Sequence, residues 1–174
     1  INIGDGLVLN GFPIITKEKG SSIIIGNNVV LTSKSMNTAL GVNHPVIIRT
    51  LQEGARIVIG KDVGVSGASI CAASTIKVGA KSLIGANVII TDTDFHSIIS
   101  KGRRYQKNFG IIGSKEVIIG ENVFIGANSI ILKGVEIGDN SVIGAGSVVT
   151  KSIPKDVVAA GNPCNVINSI PDVL

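Results

Sequence analysis

The chain has 174 residues, of which 44% are apolar and only 3% aromatic, and its formal net charge is +4. This length fits one domain or one compact repeat array, and no apolar run approaches the roughly 20 residues of a membrane-spanning helix. No basic stripe with interleaved aromatic residues is present, which argues against nucleic-acid binding. With 22 glycines and so few aromatic residues, the composition favours β-structure with many tight turns, filled by Ile and Val.

Aliphatic residues recur every six positions along most of the chain. Two short fragments are followed by a longer block, and the last block runs without interruption from 119 to 154. In chain order, the positions that we predict to point inward are Ile3, Leu9, Ile25, Leu31, Ile59, Val65, Cys71, Val78, Ile84, Ile90, Ile119, Ile125, Ile131, Ile137, Ile143 and Val149. In the last block a small or β-branched residue follows each of these by four positions, from Val123 to Ile153.

A period of six does not suit an α-helix, because six residues advance it by about 240° and would spread the aliphatic residues over three faces. In short strands separated by turns, the same spacing points every key aliphatic residue inward. Three hexapeptides then make one triangular coil, and successive coils stack as parallel strands about 4.8 Å apart. Gly or Asn at the corners would take backbone angles that β-branched residues cannot. We therefore predict an all-β parallel β-helix, forming one domain over residues 1–174.

The repeat is interrupted over residues 97–116. The sequence TDTDFH comes directly before this interruption and places Asp92, Asp94 and His96 there. Long segments without regular structure are uncommon in compact domains and are usually functional, so we expect this loop to project from the coil. Its basic residues could meet phosphates or an acidic glycan, or could simply be solvated.

The run IGENVFIGANSIILKGVEIGDNSVIGAGSVVTKSIPKDVVAAGNPCNVI resembles the hexapeptide-repeat acyltransferases, most of all the galactoside and maltose O-acetyltransferases. The sequence DTDFH followed by a loop resembles the related sugar and polysaccharide O-acetyltransferases. The resemblance is specific over residues 57–167 and looser over 1–56. It implies a left-handed coil, a homotrimer with active sites between subunits, and acetyl-CoA as donor without a metal. The handedness rests on the resemblance alone, because crossovers between parallel strands are ordinarily right-handed.

The resemblance also implies roles for individual residues at the interruption. A histidine there serves the family as general base, and His96 occupies that position. A histidine can take the proton of an attacking hydroxyl near neutral pH and return it to the departing thiolate. Asp92, Asp94 or a backbone carbonyl would orient the imidazole. Ser66 matches a polar residue of the acceptor cleft, and Phe124 falls where the family often has Trp.

Donor contacts carry over to four positions near the C-terminal end. The backbone N–H of Ala127 would bind the developing oxyanion, while Ala145, Thr150 and Lys151 would contact the pantetheine arm and nucleotide of coenzyme A. Close relatives also carry two basic residues that reach the cofactor phosphates, and Asn165 and Asn168 stand there instead. Losing such a contact costs on the order of 1–3 kcal/mol, so weaker donor binding is expected unless Lys151 or the basic cluster of residues 101–107 compensates.

The two cysteines are far apart and have no metal-ligand spacing, which favours free thiols in a reducing compartment. We predict Cys71 to be a core residue and Cys164 to lie in a turn without a neighbouring base. Neither resembles a nucleophile, so direct transfer from the thioester is expected. Residues 161–174 should cap the last coil, either as one or two helical turns or as a simple cover, because an open end would expose unpaired strand edges.

These inferences predict a cytoplasmic, acetyl-CoA-dependent O-acetyltransferase that acts on a hydroxyl of a sugar or polysaccharide precursor. An amino-sugar N-acetyltransferase and a catalytically silenced β-helix protein are the alternatives. A zinc carbonic anhydrase of the same fold would need three histidines, whereas the chain has only His44 and His96. A non-enzymatic scaffold would be expected to show regular polar ladders, which the sequence lacks. We interpret His44 as structural or as a residue of the acceptor side.

Overall fold

The computed structural model describes residues 1–170, and nearly all of its regular structure is short β-strand. In chain order the strands are β1 (Asn2–Ile3), β2 (Val8–Asn10), β3 (Ile14–Thr16), β4 (Ser22–Ile25), β5 (Val30–Thr32), β6 (Ile47–Thr50), β7 (Arg56–Ile59), β8 (Gly64–Ser66), β9 (Ser69–Ala72), β10 (Thr75–Val78), β11 (Leu83–Ile84), β12 (Ile89–Thr91), β13 (Val117–Ile119), β14 (Phe124–Ile125), β15 (Ile130–Ile131), β16 (Glu136–Ile137), β17 (Val142–Ile143), β18 (Val148–Val149), β19 (Val157–Gly161) and β20 (Cys164–Ser169). The helical segments are two 3₁₀ turns, Ser35–Asn37 and Arg103–Tyr105, and one short helix, α1 (Phe109–Ile112). None of the helices within residues 1–170 is long and apolar enough to cross a bilayer.

Strands from successive turns pair into three sheets, which form the three faces of a prism. The first sheet has the order β1-β4-β7-β10-β13-β16, the second β2-β5-β8-β11-β14-β17-β19-β20, and the third β3-β6-β9-β12-β15-β18. Every pairing is parallel except that of β19 with β20. The prediction of a left-handed parallel β-helix is confirmed.

The interior is built from aliphatic ladders that run along the axis. In the first sheet, Ile25, Ile59, Val78, Ile119 and Ile137 are in register from one turn to the next, and all are buried. The other predicted positions from Leu31 onward form the equivalent ladders of the second and third sheets, with one exception. In the first turn the inward positions are partly exposed, 54% for Ile3 and 46% for Leu9, because stacking neighbours lie on only one side of them.

The exception is Cys71, for which the prediction of a core position is wrong. Cys71 is only partly buried, and the preceding Ile70 points inward instead. The cause is a corner one residue shorter than its neighbours, since two residues separate the buried Val65 and Ala68. Three residues separate the corresponding pair, Ile59 and Val63, one corner earlier.

The corners use glycine and asparagine for two different physical reasons. At Gly85, a Cβ atom would lie 2.7 Å from Ile125 O and 2.8 Å from Ala127 N, so the glycine permits the close approach of two coils. The left-handed conformation comes two residues later and is taken by Asn87, with φ of 61°, and by Asn128, with φ of 60°. At this corner the asparagine supplies the left-handed backbone angles, as predicted. Glycine is required at position 85 because a Cβ atom there would clash with the neighbouring coil.

The C-terminal cover is a β-hairpin, so the first of the two alternatives for the cap, helical turns, does not occur in residues 164–169. Strand β20 runs antiparallel to β19, with Ala160 opposite Asn165 and Val158 opposite Asn168. This pairing occupies the backbone edge of β19 that would otherwise be open, which meets the need for a cap in a different way. The rest of the predicted cap, residues 171–174, lies outside the described residues.

Candidate active site

The projecting loop is closed at its base by backbone hydrogen bonds. Thr93 and Ser114 form an antiparallel bridge, and the Lys115 N–H donates to Asp92 O at 2.8 Å. The hydroxyl of Thr93 also donates to Gly113 O at 3.2 Å. The predicted loop of residues 97–116 is thus observed as residues 94–113. It projects from a neck formed by the paired residues 92–93 and 114–115, and residues 114–116 already belong to the returning chain. The neck fixes where the side chains next to it stand relative to the coil.

Asp92 holds the corner of the coil below the loop. Its side chain is completely buried, and its two oxygens accept hydrogen bonds from the backbone N–H groups of Ala73 and Ser74, each at 2.7 Å. Burial raises the pKa of the Asp92 carboxyl, while the hydrogen bonds from the backbone act in the opposite direction. Both oxygens are therefore used within the coil, and neither is bonded to the His96 imidazole.

Asp94 is bonded to a residue that the sequence did not single out. Its Oδ2 forms an ion pair with Lys133 Nζ, and both side chains are partly exposed. Lys133 lies in the corner between β15 and β16, one turn above the loop, where the Gly134 N–H donates to Lys115 O at 3.0 Å. The ion pair therefore ties the root of the loop to the next turn of the coil.

His96 is exposed at the root of the loop. Its backbone N–H donates to Asp94 O at 2.6 Å across a tight turn at Phe95, whose φ is 59°. No hydrogen bond within residues 1–170 engages the imidazole, so both ring nitrogens can face a ligand. The ring lines a pocket of about 480 Å³ whose other walls come from the loop itself: Ser100, Gly102, Arg103, Arg104 and Tyr105.

Ser66 and Phe124 come together on the outer face of the second sheet. Both line a groove of about 400 Å³, together with Thr32 and Leu83. Phe124 is in register with Leu83 on the neighbouring strand, and its ring remains 46% exposed. Ser66, which the resemblance assigned to the acceptor cleft, and Phe124 thus share one concave surface. His96 does not line this groove.

Ala127 and Ala145 stack on each other at the corner between the second and third sheets. The Gly146 N–H donates to Ala127 O at 2.8 Å, which fixes the two corners one above the other. No acceptor within residues 1–170 takes the N–H of Ala127. At the matching position of another corner, the Glu121 N–H donates to the Asp139 side chain at 2.7 Å. The small side chain of Ala145 offers no such acceptor, so the Ala127 N–H is available to a ligand.

Thr150 and Lys151 are exposed at the corner that follows β18. This corner stacks over the one that contains Lys133, since the Leu132 N–H donates to Val149 O at 3.1 Å. Lys151, Lys133 and the loop root with His96 therefore occupy one edge of the prism. Ala127 and Ala145 occupy a different edge, so a single chain does not bring all the predicted site residues together.

Asn165 and Asn168 are both exposed on the outer strand β20. The side chain of Asn165 donates to Pro163 O at 2.9 Å, and neither residue offers a cationic group. The cysteines also offer no nucleophile at neutral pH. Burial raises the pKa of the Cys71 thiol against the opposing charge of Arg49, and burial likewise raises the pKa of Cys164. His44 is partly buried, and its Nδ1 lies 2.8 Å from Pro45 O.

Sequence reasoning missed Lys133 and Tyr105 as residues of this edge, and it considered Arg104 only as one of the basic residues of the loop. Lys133 could have been found by counting coils, because its corner is one turn above the interruption. The loop residues could not have been placed in this way, since no repeat governs their conformation. Only the 3₁₀ turn at Arg103–Tyr105 folds them back toward His96.

Comparison with known proteins gives consistent matches. Residues 116–151 match the family described as hexapeptide repeat of succinyl-transferase. Over 101 residues the chain is 42% identical to galactoside O-acetyltransferase from Escherichia coli (strain K12), which covers 56% of this chain and 46% of that protein. The crystal structure of a maltose O-acetyltransferase from Clostridium difficile 630 is similar with 29% identity and a TM-score of 0.57, covering 98% of this chain and 70% of the other. A galactoside acetyltransferase in complex with coenzyme A is similar with 29% identity and a TM-score of 0.52, covering 95% and 65%.

The chain spans about half the length of the curated relatives that it matches. Within that span, the matches agree with the six-residue pattern and with the three-sided coil of parallel strands. On these grounds the chain is similar to hexapeptide-repeat acetyltransferases in sequence pattern and fold.

Proposed function

We propose that the protein is an acetyl-CoA-dependent O-acetyltransferase that acts on a hydroxyl of a sugar or polysaccharide precursor. The observation that carries the proposal is the exposed His96, which lines a pocket at the long interruption that separates β12 from β13. A general base needs this combination of a free ring nitrogen and room for the acceptor. The names of the relatives, a galactoside and a maltose O-acetyltransferase, support a saccharide as acceptor.

In the proposed reaction His96 accepts the proton of the acceptor hydroxyl while the oxygen attacks the thioester carbonyl carbon. The carbon–sulfur bond then breaks, and His96 returns the proton to the departing thiolate of coenzyme A. The N–H of Ala127 stabilises the oxyanion between these steps, because an unused backbone donor costs no rearrangement as the charge develops. Direct transfer is favoured because the raised pKa of each cysteine keeps both thiols protonated.

The two aspartates have supporting roles in this proposal. Asp92 holds the corner through Ala73 and Ser74, and Asp94 holds the loop root through Lys133. The chain position of His96 is set by its own N–H, which donates to the Asp94 carbonyl oxygen. Both carboxylates therefore act on the placement of the histidine backbone rather than on its ring.

A homotrimer completes the site in this proposal. The outer face of the second sheet carries an apolar ladder in register, formed by Val8, Val30, Gly64, Leu83, Phe124, Val142 and Val158. The third sheet carries a similar ladder of Ile14, Ile47, Ser69, Ile89, Ile130 and Val148. Packing such faces between copies would bury them and bring His96 of one copy toward the Ala127 corner of another.

The donor site in this proposal consists of Ala127, Ala145, Thr150 and Lys151, with Ser66 on the acceptor side. Lys151 would supply a cation for the phosphates of acetyl-CoA, since the two positions on β20 that could do so are asparagines. No metal takes part in the proposed reaction. Two free thiols and this donor fit the reducing environment of the cytoplasm.

The proposal is tested by measuring coenzyme A release from acetyl-CoA with hydroxyl and amine acceptors. His96→Ala should lower turnover by roughly 10²–10⁴-fold, the usual contribution of a general base. His44→Ala is the matched control, because it removes the second histidine of the chain. Binding of acetyl-CoA, measured by calorimetry, should be unchanged in both variants and should weaken in Lys151→Ala.

Three results would count against the proposal. An unchanged rate in His96→Ala would remove this residue from the mechanism. No binding of acetyl-CoA at millimolar concentration would indicate a silenced protein or a different donor. Transfer to amines alone would replace the O-acetyltransferase by an amino-sugar N-acetyltransferase.

A further inference from the structure

The positive charge of the chain is concentrated in the loop beside His96. The chain has 16 basic and 12 acidic residues, and the loop of residues 94–113 holds four of the basic ones. Its only acidic residue is Asp94, at the root, which is paired with Lys133 of the coil. The chain outside residues 95–113 thus has 12 basic and 12 acidic residues, so the net charge of +4 equals the charge of residues 95–113, the loop beyond Asp94.

Two of the four cations face the histidine. Arg103 and Arg104 line the His96 pocket, whereas Lys101 and Lys107 do not. Arg103 donates from Nη2 to Ile98 O at 2.9 Å, which fixes the fold of the loop. Arg104 has no ion pair or hydrogen bond to another side chain within residues 1–170. The phenol ring of Tyr105 beside it is 81% exposed. The pocket therefore combines a proton acceptor, a free guanidinium and an exposed aromatic ring.

We propose that Arg104 and its pocket bind an anionic substituent, a carboxylate or a phosphate, on the saccharide acceptor. The proposal rests on the proposed function and names the class of acceptor. A guanidinium presents its donors in a planar fork that matches such oxyanions, and charge-assisted hydrogen bonds of this kind are roughly twice as strong as neutral ones. A neutral sugar would offer this exposed guanidinium no charged partner, and the pocket itself has no acidic side chain to compete for it.

The location assigns the anion to the acceptor rather than to acetyl-CoA. The general base must come within hydrogen-bond distance of the acceptor hydroxyl, and His96 is in the same pocket as Arg104. None of the four residues that match donor contacts lines this pocket. Ala127 and Ala145 lie at a different corner of the prism, and Thr150 and Lys151 lie on the same edge as the loop root but outside the pocket lining. Because Arg104 and His96 line the same pocket, an acceptor bound by Arg104 could place one of its hydroxyls next to the His96 ring.

The test compares pairs of ligands of which one member carries an anionic group and the other is neutral. One pair is a uronic-acid oligosaccharide and its methyl ester, which keeps every ring hydroxyl, and the other is a hexose 6-phosphate and the hexose. Binding to the full chain is measured by saturation-transfer NMR and calorimetry, so the test does not depend on turnover. At least one anionic ligand should bind roughly ten- to a hundredfold more tightly than its neutral partner.

Arg104→Ala should abolish this preference, and Lys107→Ala is the matched control, because it removes the same charge from the same loop outside the pocket. Equal binding of both members of each pair, or no binding of any of them, would overturn the proposal. So would weaker binding of acetyl-CoA in Arg104→Ala with unchanged saccharide binding, which would assign the cation to the donor phosphates. Failure of the proposed function is a separate result, since it would appear as loss of acetyl-CoA binding in the unmodified chain.

Discussion

The backbone N–H of Ala127 can be removed without breaking any hydrogen bond of the coil. In residues 1–170 this group has no acceptor, and the following residue, Asn128, has φ of 60°. A residue followed by a left-handed one occupies the second position of a tight turn, where proline is well tolerated. Ala127→Pro therefore deletes the proposed oxyanion donor while retaining the turn.

The chain contains a closely matched control for this substitution. Ala80 occupies the same position of another corner, and its N–H also has no acceptor among the described residues. It is followed by Lys81 with φ of 61°. The coil below is equally close in both places, because a Cβ atom on Gly85 would lie 2.8 Å from Ala127 N and one on Gly60 would lie 2.7 Å from Ala80 N. Any crowding of the proline ring should thus affect both variants alike.

We expect Ala127→Pro to lower kcat by about 10²–10³-fold, the cost of one oxyanion donor, equivalent to about 2.7–4 kcal/mol. Ala80→Pro should leave kcat close to that of the unmodified protein. The assay is coenzyme A release at saturating donor and acceptor, with the melting temperature of both variants as the check on folding. Equal kcat values for the two variants at equal melting temperatures would refute the assignment of the oxyanion donor.

Two further predictions concern the stability of the coil. Asp92→Ala leaves two backbone N–H groups without their acceptor and should cost about 1–3 kcal/mol for each, measured by urea unfolding. Because burial raises the pKa of Asp92 above 3.8, its contribution should be largest below that pH and should decline as the pH rises through the raised pKa. The variant should lack this decline, and an unchanged pH profile would contradict the account. Gly85→Asn should cost about 1–3 kcal/mol or more by overpacking, since its Cβ would meet backbone atoms of the next coil, whereas Gly146→Asn should be nearly neutral. Gly146 has φ of 70° and open space around it, the conformation that Asn128 adopts, so equal losses in thermal melting would show that crowding is not the cause.

The sequence by itself determined the coil of parallel strands and most of the predicted inward positions, whereas the handedness rested on the resemblance. A six-residue period of aliphatic residues is compatible with only one way of burying them, and from 119 to 154 every predicted inward residue is buried. The same pattern failed at Cys71. A corner one residue shorter moves the inward position from Cys71 to Ile70, and both residues are apolar enough to fit the pattern. The period also predicted where the coil is interrupted, since an interruption is a local property of the chain.

The contacts between coils were decided by the tertiary structure. Asp94 and Lys133 are 39 residues apart, and their pairing depends on how one corner stacks over another. Asp92 seemed equivalent to Asp94 in the sequence, yet one is fully buried against backbone amides and the other reaches across to the next turn. The pocket that joins His96 to Arg104 likewise depends on a 3₁₀ turn in a segment without a repeat. A periodic pattern specifies which way a side chain points, whereas its partner is specified by the three-dimensional path of chain segments that are distant in sequence.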